Sequence, residues 1–316
     1  AIFATGKGTL SNPAIKLQGA TIIGKVGSNT LEEGSIYLNQ SEISDDLFVN
    51  PDADSEVLRL TQSTRPNTVP LPGNDVVPPS VKFPNFPVID LDWEGNNYST
   101  PEDKDYLINE DGRYNRIDIT NGGRTVIIDL QNKTRIIRVK DINIQADVKL
   151  INPGRLLLYV DKSITMGGGR SINYNKGQDN NPEALTIYYN GSDTFGTGEW
   201  KLSGNVVVRD ADVMFGDSSE FVGNIFSPSS KPINVLGGNG RFEGLIYAPN
   251  APVSFLAGRH MTGAIIGSRV VVDWNSIITF DNINASASFP DDIFGGTSGD
   301  GAGSSAFSRG RWSDAK

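Results

Sequence analysis

Apolar and polar residues fall into short runs separated by turn residues along most of the chain. Thr125–Asp129, 135–139, 156–160, Leu185–Tyr189 and 206–208 are β-branched or apolar stretches bounded by Gly, Asn, Asp or Pro, the signature of β-strands. Helical periodicity is nearly absent. Its two candidates, 52–62 and 101–108, are short and begin with acidic residues.

One template recurs four times: apolar, any residue, glycine, any residue, aliphatic. It reads Leu202-Ser203-Gly204-Asn205-Val206, Phe221-Val222-Gly223-Asn224-Ile225, Phe242-Glu243-Gly244-Leu245-Ile246 and Met261-Thr262-Gly263-Ala264-Ile265, with glycines 19, 21 and 19 residues apart. A second strand pair follows each glycine, at Val213/Phe215, Ile233/Val235, Val253/Phe255 and Val270/Val272. A period near 20 with two short strands matches one coil of a solenoid. Alternation sends every second side chain inward, so stacking rungs about 4.8 Å apart places Val206, Ile225, Ile246 and Ile265 in one internal ladder. Glycines suit corners where φ is positive and backbones crowd. The fold expected is all-β, a right-handed parallel β-helix (β-solenoid) with loop insertions and little helix. An antiparallel sandwich is the competing architecture, since strands at regular short spacing suit it too.

Punctuation divides the chain. Six prolines between 69 and 87 remove ladder donors and fix φ, marking an extended strap between an N-terminal β portion (1–68), which packs on or extends the solenoid, and the solenoid body (88–290). An insertion is expected near 91–116. Residues 291–316 are Gly/Ser-rich and read as a flexible tail. Weaker echoes of the repeat at Gly24–Ser28 and Gly34–Leu38 suggest irregular coils toward the N-terminus.

Phe242-Glu243-Gly244-Leu245-Ile246-Tyr247-Ala248-Pro249-Asn250-Ala251-Pro252-Val253, followed by Gly263-Ala264-Ile265-Ile266-Gly267, resembles a signature of pilus-associated, PilX-like surface proteins of Gram-positive bacteria. The opening Ala1–Gly8, the Phe83–Pro87 strap, the 135–139 run leading into 157–160, and Arg309–Trp312 resemble the same group. The resemblance covers most of the chain, and 247–250 is its most specific part. It implies an extracellular cell-surface β-solenoid, normally exported behind a pilin-like hydrophobic helix that this sequence lacks. The tāpirins of thermophilic bacteria, β-helical adhesins that hold cellulose, are similar in architecture, without a shared specific motif.

Charge and chemistry refine this picture. The formal net charge is −9, and with no local Lys/Arg cluster to offset it nucleic acid is not an expected partner. No cysteine is present, which removes disulfides and thiolate metal sites. No run approaches 18 consecutive apolar residues, so no membrane span is expected. The one histidine, His260, sits in a Gly/Arg corner without a nucleophile elbow or zinc spacing. Asp210, Asp212 and Asp273 are candidate acid/base carboxylates, but they fall at different distances from their rungs' glycines. Asp52/Asp54, Asp90/Asp92 and Asp210/Asp212 are weak calcium candidates, since hard cations want several oxygens, and none continues as a calcium loop. No cofactor and no metal is expected. Aromatic residues are the candidate ligand contacts: Trp93, Tyr98, Tyr106, Tyr114, Tyr188, Tyr189, Trp200 and Trp274, because aromatic faces stack on sugar rings. Phe226 and Tyr247 share a rung position and are expected to stack on each other. The function expected is a noncatalytic, extracellular, adhesin-like surface protein binding a polymer such as cellulose or another plant polysaccharide. The alternatives are a structural pilus or envelope subunit that binds other proteins, and a β-helical polysaccharide lyase or hydrolase.

Overall fold

The computed structural model describes residues 1–73, 75–88, 97–99, 106–108, 110–119, 123, 125–177, 180–196, 198–238, 240–256, 258–280 and 293–294. These form a parallel β-solenoid of about 12 turns. The four template repeats stack in parallel register, with Val206 opposite Ile225, Ile225 opposite Ile246 and Ile246 opposite Ile265. A sandwich would have shown antiparallel pairs here.

Each regular coil has three faces. In the sixth coil they are Val213–Phe215 (face I), 220–222 (face II) and 223–226 (face III). Strand Arg241–Phe255 runs through two corners, in register with the next coil through the first and with a register shift between Ala248 and Pro252 at the second. The template glycine marks the corner from face II to face III, where Gly223, Gly244 and Gly263 have φ of 145°, 126° and 151°. A Cβ on Gly244 would lie 1.6 Å from the Gly223 carbonyl oxygen, so coils approach this closely only where no side chain exists. The corner from face I to face II carries left-handed residues in consecutive coils, at Ser218, Gly238, Gly258, Asn275, Gly19, Gln40 and Gln62.

The coils do not follow the chain from end to end. Coils 1 to 8 run in sequence order, from Asn97–Ser99 to the 263–267 segment. Coil 9 is composite. Its first two faces are 269–272 and Ile277–Thr279, and its third is Ile2–Ala4, laid between 265–267 and Val26–Ser28. Coils 10 to 12 then use residues 15 to 70. The N-terminal portion therefore extends the solenoid beyond its C-terminal coil, and in regular form rather than as faint echoes.

Other sequence expectations change. The described residues of the segment expected as an insertion near 91–116 belong to the coils. Asn97–Ser99, Tyr106–Ile108 and Gly112–Ile119 supply strands of the first two coils. Neither proposed helix is a helix where described. Leu58–Thr61 and Tyr106–Ile108 are strands, because each pairs with a coil neighbour whose ladder outweighs weak local helix preference. Among the described residues the one helical element is a 3₁₀ turn at Pro182–Ala184.

The interior is a stack of aliphatic columns. On face III one column reads Ile137, Leu158, Ile187, Val206, Ile225, Ile246, Ile265, Ile2, Val26 and Leu47, all buried. Each such side chain contributes about 1.5–3 kcal/mol on burial, and no coil achieves that burial alone.

The strap lies on the outside of face III. Shifted by one residue from the aliphatic column is an outward column reading Arg138, Tyr159, Tyr188, Val207, Phe226, Tyr247, Ile266, Phe3, Gly27 and Phe48. The chain from Leu71 to Pro87 runs along it from the coil 11 end toward coil 2. Leu71 N–H donates to Val49 O (2.7 Å), Val76 exchanges two hydrogen bonds with the Asn29 side chain (2.9 and 2.8 Å), the Tyr247 hydroxyl donates to Pro79 O, and Arg138 donates to Pro87 O (2.9 Å). Phe83 meets Tyr188 edge-on at 6.4 Å and Phe86 meets Tyr159 at 5.0 Å. Nine rungs of about 4.8 Å make about 43 Å, and sixteen residues at about 3.1 Å in polyproline form reach about 50 Å. A relaxed strap just covers the distance. Ile293 and Phe294 pack beside it, with Lys82 N–H donating to Ile293 O (2.8 Å), and residues 295–316 of the expected tail lie outside the described residues.

Candidate functional site: a charged corner beside the strap

The aromatic residues expected to meet sugar do not form a row. Tyr189 and Trp200 are fully buried in the core, because Tyr189 has the inward parity of Ile187 and Trp200 that of Leu202. Tyr188 points outward but stacks on Tyr159 at 4.9 Å, beneath Phe83. Tyr114 is half-buried against the core. Tyr98 and Tyr106 fall on coil 1 strands, where only the backbone is described, and Trp93 lies outside the described residues. Trp274 is 41% exposed but sits at the far corner against Gly19. Phe226 and Tyr247 are neighbours as expected, yet tilted at 49° and 6.3 Å rather than stacked.

The carboxylate candidates are also dispersed. Asp210 accepts a hydrogen bond from Ser229 at 2.7 Å, while Asp273 lies four coils further along, at a different corner. Glu56 N–H donates to Asp54 at 2.7 Å in an ordinary turn, and Asp90 and Asp92 lie outside the described residues. Among the described residues no group of three His, Cys, Asp or Glu side chains is placed to hold a metal ion. His260 is exposed.

Sequence reading missed a local reversal of charge. Residues 112–170 carry eleven Lys/Arg against five Asp/Glu, a net of +6, whereas residues 2–70 carry five against eight. The chain total of −9 hid this basic stretch, which follows an acidic one (residues 97–111 carry five Asp/Glu against one Lys/Arg), and the expectation of no local basic cluster is corrected for residues 112–170.

Part of that charge converges at the corner from face III to face I in the first coils. Asn115, Lys140, Asp161 and Lys162 line an open hollow of about 370 Å³. Asn115 faces Lys140, between the paired Tyr114–Val139 and Arg116–Asp141. In the next coil a register shift sets two residues, Asp161 and Lys162, against Lys140 alone. Bulges re-aim side chains, and here both residues line the hollow.

The local fold holds this bulge from both sides. Arg138 makes a two-pronged pair with Asp161 (both 2.9 Å), donates to Pro87 O and lies 5.4 Å from the Phe86 ring centre. From within the core the Tyr189 hydroxyl reaches Lys162 O (3.1 Å) and Asp193 O (2.9 Å), sharing its one proton between the two carbonyls. Burial, with the nearby Asp193 and Asp141 charges, pushes that phenol up to about 12, so it stays a neutral donor. Asp141 accepts from Ser163 and lies 3.7 Å from Lys162. Asp161 is therefore neutralised, Lys162 is loosely paired and 64% exposed, and Lys140 is exposed without an ion pair among the described residues. The column continues through Asn190 and the exposed Arg209, joined at 2.8 Å. Chemically this is a row of hydrogen-bond donors and positive charge at one rung spacing.

Residues 194–284 match the model of a family described as a domain of unknown function, DUF7305. That stretch contains the four glycine-led repeats. Comparison with curated proteins and with solved structures gave no match.

Proposed function

We propose that the chain is a noncatalytic, extracellular, adhesin-like rod of the cell surface, pilus-associated, that holds a polymer such as a plant polysaccharide along its length. The observation that carries this reading is the straight corner column Asn115, Lys140, Lys162, Asn190 and Arg209, which offers one polar side chain per coil beside a strapped face. A ligand with repeating units suits contacts that recur once per rung. The resemblance of the 242–267 segment to pilus-associated surface proteins supports the location. Pull-down on insoluble cellulose and xylan and on immobilised acidic polysaccharide tests the reading, and failure of every polymer to retain the protein would end it.

A second reading is a structural pilus or envelope subunit that docks other protein chains. Leu58–Thr61 and Thr68–Pro70 each pair with one strand only among the described residues, and Leu58 and Leu60 are only partly covered. An open ladder edge recruits strands. Concentration-dependent association by light scattering, without polymer retention, favours this alternative.

A further inference from the structure

We infer that the corner of the first five coils binds a linear polysaccharide that carries carboxylates. This deepens the polymer-holding reading and rests on it, naming the substrate class the corner would take. The charge is segregated rather than general, with +6 over residues 112–170 within a chain of net −9. Beside the hollow Asp161 is engaged by Arg138 and Asp141 by Ser163 and Lys162, while Asp193 and Asp210 stand exposed at the Asn190–Arg209 end of the column. Lys140 and Lys162 project into the hollow on consecutive rungs, flanked by Asn115. Arg209 follows two coils further on, with Asn190 between. Five coils at about 4.8 Å per rung set these donors over about 19 Å, a straight track for several units of an extended glycan. Lysines meet carboxylates, and amides meet hydroxyls and ring oxygens.

The interspersed Asp141 and Asp161 fit a polymer with one charge per sugar better than a dense polyphosphate. Nucleic acid fits less well for a further reason: the column's neighbouring aromatics, Tyr159 and Tyr188, lie under the strap rather than open for base stacking.

The test is retention of the whole chain on immobilised polygalacturonate, with cellulose, xylan and single-stranded DNA as parallel arms. Variants are Lys140→Gln/Lys162→Gln and, as a control, Lys133→Gln/Lys149→Gln. The control removes equal charge from exposed positions in the same coils but off the corner. All four sites are exposed, and matched thermal unfolding checks folding. Polygalacturonate should bind in a salt-sensitive manner. The corner variant should bind about tenfold more weakly, two exposed ion pairs' worth, and the control should stay within about twofold. Equal weakening by both variants would show net charge at work rather than this corner and would overturn the inference, as would stronger retention on single-stranded DNA. Binding to cellulose or xylan without polygalacturonate overturns the inference and leaves the polymer-holding reading standing. No binding to any arm removes both.

Discussion

Replacing Gly244 by alanine tests whether glycine sets the closeness of the coils. The added Cβ would stand 1.6 Å from Gly223 O and 2.7 Å from its carbonyl carbon, and both atoms belong to ladder backbone that no rotamer change can move. Normal contact requires the two coils to part locally by more than about 1 Å over a spacing of about 4.8 Å. That displacement breaks or bends two or three ladder hydrogen bonds, each worth about 0.5–1.5 kcal/mol net. The residue must also hold φ of 126°, a region costing about 1–3 kcal/mol for a side-chain-bearing residue. Together the loss is about 2–7 kcal/mol, a large part of the about 5–15 kcal/mol typical of whole domains. Urea unfolding followed by circular dichroism reads it as a lowered midpoint. Gly168, which has no neighbour within 4 Å of a built Cβ, is the control, and Gly168→Ala should stay within about 0.5 kcal/mol of the parent. A Gly244→Ala variant within about 1 kcal/mol of the parent would show that the coils adjust freely, and the crowding argument would fail.

Arg259 is fully buried and donates to the Leu236, Ser219 and Gly216 carbonyls, each at 2.6 Å. Arg259→Met should cost about 4 kcal/mol or more in urea unfolding, because three carbonyls across two coils lose a charged donor, and Arg259→Lys should rescue little since one ammonium cannot span them. For Glu220, burial raises the carboxyl pKa, but the Tyr174 hydroxyl and Lys201 outweigh it and hold it below its ordinary 4.5. This carboxylate therefore stabilises the fold above about pH 4.5 and loses that contribution as pH falls through its lower folded value, and Glu220→Gln should flatten this segment of a stability–pH curve. In Phe83→Ser/Phe86→Ser the strap loses its two ring contacts with Tyr188 and Tyr159, and limited trypsin digestion should cut faster after Lys82, with the solenoid core surviving.

The fold was legible where chemistry repeats. Four glycines at a near-constant interval, each leading an aliphatic residue, named the ladder Val206, Ile225, Ile246 and Ile265 before any coordinate, because a corner that forbids Cβ must be filled by glycine each time it recurs. Parity was legible too but went unread. Counting by two within each strand, Ile187 leads to Tyr189 and Leu202 back to Trp200, so both face inward and neither meets a ligand. The composite ninth coil left no such trace. Ladder edges accept any strand of suitable pattern, and nothing in Ile2–Ala4 records that its neighbour is 265–267. The corner site was hidden for a different reason. Its bulge at Asp161–Lys162 is a register shift between coils, a relation between distant residues rather than a motif, and its charge was lost in the chain average.

The strap explains how a stack of nearest-neighbour contacts can present a straight track. In a solenoid each coil touches only the next, so interfaces open independently, and a track assembled from five coils would lose its spacing whenever one opened. A strap fastened to Val49, Asn29, Tyr247, Tyr188, Tyr159 and Arg138 ties coils from both sequence blocks into one body. It also reaches the corner directly, since the guanidinium that neutralises Asp161 also holds Pro87 O and lies against Phe86. Loosening the strap frees Arg138 to leave Asp161, whose restored negative charge then stands beside Lys140 and Lys162 and repels a carboxylated ligand. Phe86→Ser alone should therefore weaken polygalacturonate binding severalfold while unfolding at nearly the parental urea midpoint, although Phe86 does not line the hollow. Undiminished binding with the strap demonstrably cut by protease would mean that the corner is organised by its own coils, and that the strap serves stability alone.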